Sequence, residues 1–309
     1  MVKYTLKRII YMIITLVIIA TATFFLMKLL PGTPLANQER LTPQQQQIIL
    51  DKYGLNDPLP IQYITYMTNL AKGDLGVSFQ YDNREVSKMI SERIGPSALL
   101  GFQAMVLGTF IGLLVGIIAA IRQNTWVDYG STILAVLGIS IPSFVFAALL
   151  QYYVGVKLEW LPVALWGEYK HTILPTLALT VGVIATIARY MRTEMIEILN
   201  TDYILLAKAK GTTKSNVIIK HGVRNAMIPI VTIIGPMAVG IMTGTMVIEQ
   251  IFSVPGLGEQ FVRSINMNDY PVIMGTTLFF SALFILVIFV VDILYGIIDP
   301  RIRLVGGKK

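Results

Sequence analysis

Six stretches of this 309-residue chain stay apolar long enough to cross a bilayer: 9–30, 98–121, 131–156, 172–190, 226–249 and 273–298. A hydrocarbon core needs roughly 20 helical residues. Inside it every backbone polar group must pair within the chain, so the stretches are predicted to be helices. Pro142 and Pro175 fall inside or beside the third and fourth, whose ends are therefore the least defined.

The polar intervals carry their own signals. The 31–97 connection is too long for a plain loop and predicts a small folded module. Thr42-Pro43 with Gln45 reads as an N-cap, an N1 proline and a capping box, with Gly54 as the stop. A second helix is predicted over Ile61–Lys72 before Gly73, and a third over Glu85–Ile94, ended by Gly95-Pro96. No internal repeat or low-complexity tract interrupts the chain. The reading is an all-α polytopic membrane protein in three parts: 1–30, the N-terminus and first span; 31–97, an extracytoplasmic helical module; and 98–309, a five-helix core that includes a polar connection at 191–225.

Composition agrees with that class. The chain is 54% hydrophobic and 14% charged, too little charge to cover a soluble surface of this size. Its net charge of +7 lies beside apolar spans, which excludes a nucleic-acid partner. Lys3, Lys7 and Arg8 precede the first span, whose apolar core is too long for a signal peptide; it is expected to be retained. The connection after span four carries Arg189, Arg192, Lys208, Lys210, Lys214, Lys220 and Arg224, and the C-terminus carries Arg301, Arg303, Lys308 and Lys309. The excess of positive charge places these segments and both termini in the cytoplasm. The absence of cysteine leaves no thiol metal site, and His171 and His221 fall on opposite sides of the membrane in this topology. No phosphate-binding Gly-x-x-x-x-Gly-Lys-Ser/Thr and no hydrolase motif occurs, so the chain is not expected to be an enzyme.

Within the spans, Gly108, Gly112 and Gly116 recur at intervals of four, and Gly240 and Gly244 repeat the device more weakly. Such faces let a neighbouring backbone approach, either within one subunit or between subunits. Ionisable groups inside the spans are scarce; Lys28 and Asp292 sit near span ends, which argues against an ion path.

The connection between spans four and five holds the most distinctive pattern. Residues 202–210 read as a short helix with Asp202 as cap, Gly211 breaks it, and Thr213 caps a second helix through Lys220, before Pro229 opens span five. A connection lying on anionic lipid needs scattered cations but no helix–Gly–helix elbow. The segment Ala207-Lys208-Ala209-Lys210-Gly211, followed by His221, Arg224-Asn225-Ala226 and Pro229, resembles the coupling loop of the peptide-permease branch of ATP-binding-cassette (ABC) importer membrane subunits. Against that superfamily's general Glu-Ala-Ala pattern, only Ala207 and Gly211 keep their places, and Leu205 stands where the Glu belongs. Further stretches resemble the branch along the whole chain: Pro31-Gly32-Thr33-Pro34, Tyr53 to Pro60, Gly73-Asp74-Leu75-Gly76, Pro255-Gly256-Leu257-Gly258, Asp269-Tyr270-Pro271 and Asp299-Pro300-Arg301. The large outer module resembles the first of that branch's two permease subunits.

The resemblance implies a type I ABC importer permease fold and one half of the membrane channel of an oligopeptide importer. It implies a paralogous permease, two cytoplasmic ATPases that hold ATP and Mg, an extracytoplasmic peptide-binding protein and a peptide substrate as partners. No cofactor is expected in this chain itself. Asp202, Ile204, Leu205, Ala207, Lys208, Ala209, Lys210, Gly211, Lys214, Val217, His221, Arg224 and Asn225 would form the ATPase-coupling surface, with Ile204, Leu205 and Val217 supplying its packing. The substrate path is expected from Gln103, Met105, Ser140, Ser143, Met237, Met242, Thr243, Thr245 and Glu249, the last at an outer mouth beside Gln250. Methionine walls adapt to varied side chains, although methionine in a span also serves plain packing. The same machine could carry dipeptides, nickel chelates, opines or small glycosides. An ion-coupled secondary transporter is the alternative of another class, and it needs inverted repeats and midplane charges; a membrane enzyme is a further one.

Overall fold

Apolar runs with few breakers become helices in the computed structural model, which describes residues 2–32, 34 and 42–298. The side chains of residues 2–4, 242–244, 292 and 294–298 fall outside that description, as do Thr33 and everything from Asp299 onward, including the C-terminal charges. In chain order the helices are α1 Val2–Lys28, α2 Pro43–Lys52, α3 Leu59–Ala71, α4 Val86–Ile121, α5 Trp126–Ser140, α6 Ser143–Leu150, α7 Lys170–Leu199, α8 Asp202–Ala209, α9 Lys214–Asn216, α10 Arg224–Gly244, α11 Met246–Ile251, α12 Leu257–Asn266 and α13 Tyr270–Ile298. Among the described residues only an isolated Val77–Glu85 bridge is of β type. Five helices are long and apolar enough to span a membrane, and α5 with α6 forms a further, bent candidate.

Three expectations change. Gly95-Pro96 does not end a helix; α4 runs through it from Val86, because proline in a helix removes one hydrogen bond without forcing a stop when packing holds both sides. The third span is bent by 98°. Pro142 occupies the N-cap of α6, where its missing N–H costs nothing, and Ile141 is extended. A π-turn, Gln151–Lys157, prolongs α6. The second helix of the 202–220 segment does not stop at Lys220 either: α9 passes through a π-turn, Val217–Val223, into α10, which contains Pro229 and Pro236.

The chain divides into two compact units, 1–96 with 255–289 and 97–254 with 290–309. Residues 255–289, assigned by sequence to the permease core, thus group with residues 1–96.

In the first unit, Thr42 and Gln45 form the reciprocal capping box expected at α2. Phe24 and Phe25 of α1 pack against Tyr63 and Tyr66 of α3. Val86, Met89, Ile90, Leu257 and Val272 make the core. Gly275 admits Val86: a Cβ there would stand 2.5 Å from Val86 Cγ1. Asp269 is fully buried and accepts hydrogen bonds from the Ser78 hydroxyl and, at 3.0 Å, from the Phe79 N–H. Burial raises its carboxyl above the usual range, against the opposing pull of those donors. The Asp269-Tyr270-Pro271 motif therefore ties the 76–80 turn to the start of α13.

The second unit is built around α7. One core joins Val183, Ile187, Met191 and Met195 to Met105 on α4 and to Ala226 and Ile230 on α10. A second joins Leu174 and Ala178 to Leu100, Ala147, Ile248 and Phe252. The α4 glycine row meets α7 directly. A Cβ at Gly108 would lie 2.5 Å from Val183 Cβ, at Gly112 2.8 Å from Ile187 Cβ, and at Gly116 2.6 Å from the Ala188 carbonyl oxygen. The close-approach face is therefore occupied within this chain. Gly240 differs, with nothing within 4 Å of an added Cβ. We expect Gly116→Val to cost about 1–3 kcal/mol through overpacking against α7 and to lower the melting temperature of the purified protein, whereas Gly240→Ala leaves it within a degree or two.

Candidate functional site

The elbow after α7 begins with Thr201 at the N-cap, not Asp202; Asp202 is the first helical residue, where the helix dipole favours its charge. The Thr201 hydroxyl instead donates to the Ile198 carbonyl at 2.6 Å. α8 ends in a Schellman turn. The Gly211 N–H donates to the Lys208 carbonyl at 3.0 Å and the Thr212 N–H to the Ala207 carbonyl at 3.2 Å. Gly211 has φ +78°, a left-handed conformation, while the space around it is open. Its requirement is conformational, not steric.

The apolar residues of the elbow divide by direction. Ile204 and Val217 are buried inside the subunit, so they are not available for docking. Leu205 is 66% exposed and Leu206 55% exposed, with Tyr203 beside them at 42%. Sequence reading missed Leu206 and Tyr203, although an apolar pair next to a buried isoleucine on one short helix was a usable signal. Lys208, Ala209, Lys210 and Lys214 are exposed, Ala207 and His221 are half-buried, and Arg224 points outward. Asn225 joins the elbow to span five: its Nδ2 donates to the Tyr203 hydroxyl at 3.0 Å and to the His221 carbonyl at 2.8 Å. A cavity of about 350 Å³ behind the elbow is lined by Ile121, Leu199, Lys208, Thr212 and Lys214, among others.

A second connection went unseen in the sequence. Arg192 on α7 donates twice to Asp128 on α5, Nε to Oδ1 at 2.5 Å and Nη2 to Oδ2 at 2.8 Å. Asp128 is 1% exposed and also accepts from the Asn124 N–H at 2.9 Å. A bidentate guanidinium–carboxylate pair fixes orientation as well as distance. It clamps the base of the bent α5–α6 element to the helix that carries the elbow.

The expected path residues do not converge. Ser143, Met237 and Gly240 line a groove of about 650 Å³ with Pro142, Gly182 and Thr186, at the α5–α6 bend between α7 and α10. Its lining residues carry no ionisable side chain. Ser140 is exposed outside that lining. Gln103 lies in a separate groove of about 380 Å³ and accepts from the Thr176 hydroxyl at 2.8 Å. Met105 is buried in the α7 core, because its register on α4 follows the glycine row inward. Thr245 and Glu249 are also buried, not at a mouth: the chain breaks at Thr245, and Glu249 turns inward to accept from the Ser97 hydroxyl at 2.7 Å and from the Thr245 hydroxyl. Met242, Thr243 and Gly244 fall on side chains outside the description. The Asp128–Arg192 pair lies just beyond the ends of the third and fourth predicted spans, and Glu249 is the last residue of the fifth.

Residues 112–304 match the model of the family described as "Binding-protein-dependent transport system inner membrane component", and residues 1–101 match its N-terminal model. The dipeptide transport system permease protein DppB of Lactococcus lactis subsp. cremoris is 48% identical over 304 residues, covering 98% of this chain and all of the relative. The same-named protein of Bacillus subtilis is 46% identical, covering 98% and 99%. The oligopeptide transport system permease protein OppB of Escherichia coli K12 is 42% identical, covering 98% and 100%. Among solved structures, the MetNI methionine ABC transporter in an inward-facing conformation superposes with TM-score 0.58 at 18% identity, covering 69% of this chain and 97% of that one. An amino acid ABC transporter gives 0.51 at 15% identity, covering 70% and 94%. At those identities the two structures speak to the fold alone, and the fold is that of type I ABC importer permeases.

The open surroundings of Gly211 separate conformation from bulk. Gly211→Asn should retain most activity, because asparagine tolerates the left-handed region. Gly211→Val should lose it, with strain of about 1–2 kcal/mol; substrate uptake measured at equal membrane levels of the two variants checks this.

Proposed function

Since this chain belongs to the family of binding-protein-dependent transport system inner membrane components, we propose that it forms one half of the translocation pathway of an ATP-driven peptide importer. The protein is a multi-pass membrane permease subunit. A paralogous permease would complete the pathway, two cytoplasmic ATPases would bind the ATP and Mg, and an extracytoplasmic binding protein would deliver the peptide. The positive charge around the elbow supports cytoplasmic termini and a cytoplasmic elbow.

The elbow carries this reading. It presents Tyr203, Leu205 and Leu206 outward while Ile204 and Val217 anchor it inward. Burying an exposed leucine in an ATPase cleft contributes about 1.5–3 kcal/mol. An exposed pair from Lys208, Lys210 or Lys214 contributes about 1 kcal/mol at most. Docking therefore rests on the leucines, and the lysines tune approach. Force applied to α8 reaches α7 through the chain at Leu199, α10 through Asn225 and through the π-turn that joins α9 to α10, and α5 through Arg192–Asp128. These helices, together with α6, wall the Ser143–Met237 groove. Closure of the ATPases would move them as rigid bodies and open the groove alternately to each side.

The cargo is a peptide. The groove's uncharged walls, with hydroxyls of Ser143 and Thr186 and the thioether of Met237, suit a carrier that takes many side chains. Oligopeptides fit the family, and the higher identity to two relatives named for dipeptides supports shorter cargo within the same machine. Nickel chelates, opines and ion coupling have no such support. Replacing both elbow leucines, Leu205→Glu with Leu206→Glu, should cut co-purification of the ATPases at least tenfold and abolish uptake of radiolabelled di- and hexapeptides. The permease should remain at normal membrane levels; undiminished ATPase capture would refute the docking role.

A further inference from the structure

The first unit contains an open cavity of about 240 Å³ that the coupling and transport argument does not use. Its walls come from the end of α1, from α3, from the 53–57 and 76–79 turns and from the start of α13. Three polar groups in it have no charged protein partner among the described residues. Lys28 Nζ donates to the neutral Gln62 Oε1 at 2.5 Å and sits 5.5 Å and 5.7 Å from the Phe24 and Tyr270 ring centroids, with no carboxylate partner among the described residues. The buried Tyr66 hydroxyl has no protein partner, and burial pushes its pKa up to about 12, so it remains a proton donor. Asp57, exposed on the same wall, forms no ion pair among the described residues and does not bridge to Lys28.

A cavity whose lining includes a cation, a hydroxyl donor and a carboxylate suits a small zwitterion. The oxyanion takes the Lys28 and Tyr66 hydrogens. The ammonium takes Asp57, and the Tyr53 and Phe79 rings also line the cavity. Position selects the source. Lys28 closes one membrane-spanning stretch and Tyr270 opens another, so the cavity lies where hydrocarbon meets headgroups. Phe25, Leu26 and Leu29 leave an exposed apolar strip on and just past the end of α1, where acyl chains would run and for which a soluble zwitterion has no use. We propose that this cavity binds the headgroup of an ethanolamine phospholipid, with the phosphate held by Lys28 and Tyr66 and the primary ammonium by Asp57.

Native mass spectrometry of the full chain, purified with its partners in mild detergent and exchanged into equimolar phosphatidylethanolamine and phosphatidylglycerol, tests this. The wild-type chain should retain the ethanolamine lipid in preference to the glycerol lipid. Tyr66→Phe, which preserves shape, should lower retention about tenfold, the effect of one hydrogen bond to a charged group; Lys28→Met should lower it at least as far. Asp57→Asn should erase the preference for the ethanolamine headgroup while leaving total lipid bound. Equal retention by the wild type and all three variants would mean surface lipid only and overturns the proposal. Displacement of the lipid by a free dipeptide, lost on Lys28→Met, would assign the cavity to cargo and overturns it as well.

Discussion

The close approach of α4 to α7 is the constraint on which the second unit depends. Three glycines spaced by four put bare backbone against Val183, Ile187 and the Ala188 carbonyl, and no side chain fits between. In lipid there is no hydrophobic gain from pairing two apolar helices, so association rests on such packing. Once α4 lies flush on it, α7 becomes an interior helix with both cores of the unit on its flanks. The bent α5–α6 element, α10 and α11 then pack around a common axis. Gly138 extends the same logic to α5, where an added Cβ would stand 3.0 Å from Ala185 Cβ.

A transmission element of the kind proposed for the elbow must be stiff where it carries force and compliant nowhere along that line. The elbow meets this with few parts. The left-handed Gly211 fixes the angle, Ile204 and Val217 seat the elbow on its own subunit, and Asn225 closes the gap to α10. At the π-turn between α9 and α10 the Asn225 side chain also donates to the His221 carbonyl. The Arg192–Asp128 clamp performs the corresponding task for α5. Neither connection involves groups that change chemically during transport, in keeping with a subunit whose work is mechanical.

Polar groups buried in this protein are hydrogen-bonded where they hold elements together. Glu249 joins the break at Thr245 to Ser97, and Asp269 joins the 78–80 turn to the start of α13. Such a site costs several kcal/mol if one partner is removed, so these residues are best understood as joints. The Tyr66 hydroxyl departs from the pattern, as do the side chains of Gln260 and Thr276, which are buried without a hydrogen-bond partner among the described residues.

Hydropathy determined the all-helical class and the spans, and the identities of Thr42 and Gln45 determined the capping box of α2, because each follows from local periodicity or from a contact across three residues. The helix–Gly–helix elbow was equally legible, since φ > 0 selects glycine within a single turn. What the sequence could not determine was direction. Whether Pro96 or Pro142 would interrupt a helix depended on what packed on either side. Whether Ile204 or Leu205 faced the subunit depended on the seat beneath α8. Met105, Thr245 and Glu249 turned inward because the α4 glycine row and the break at Thr245 set their register. Asp128 and Arg192 lie 64 positions apart and were unrecognisable as a pair. Contacts at that separation are properties of the packed chain, and only tertiary structure decides them.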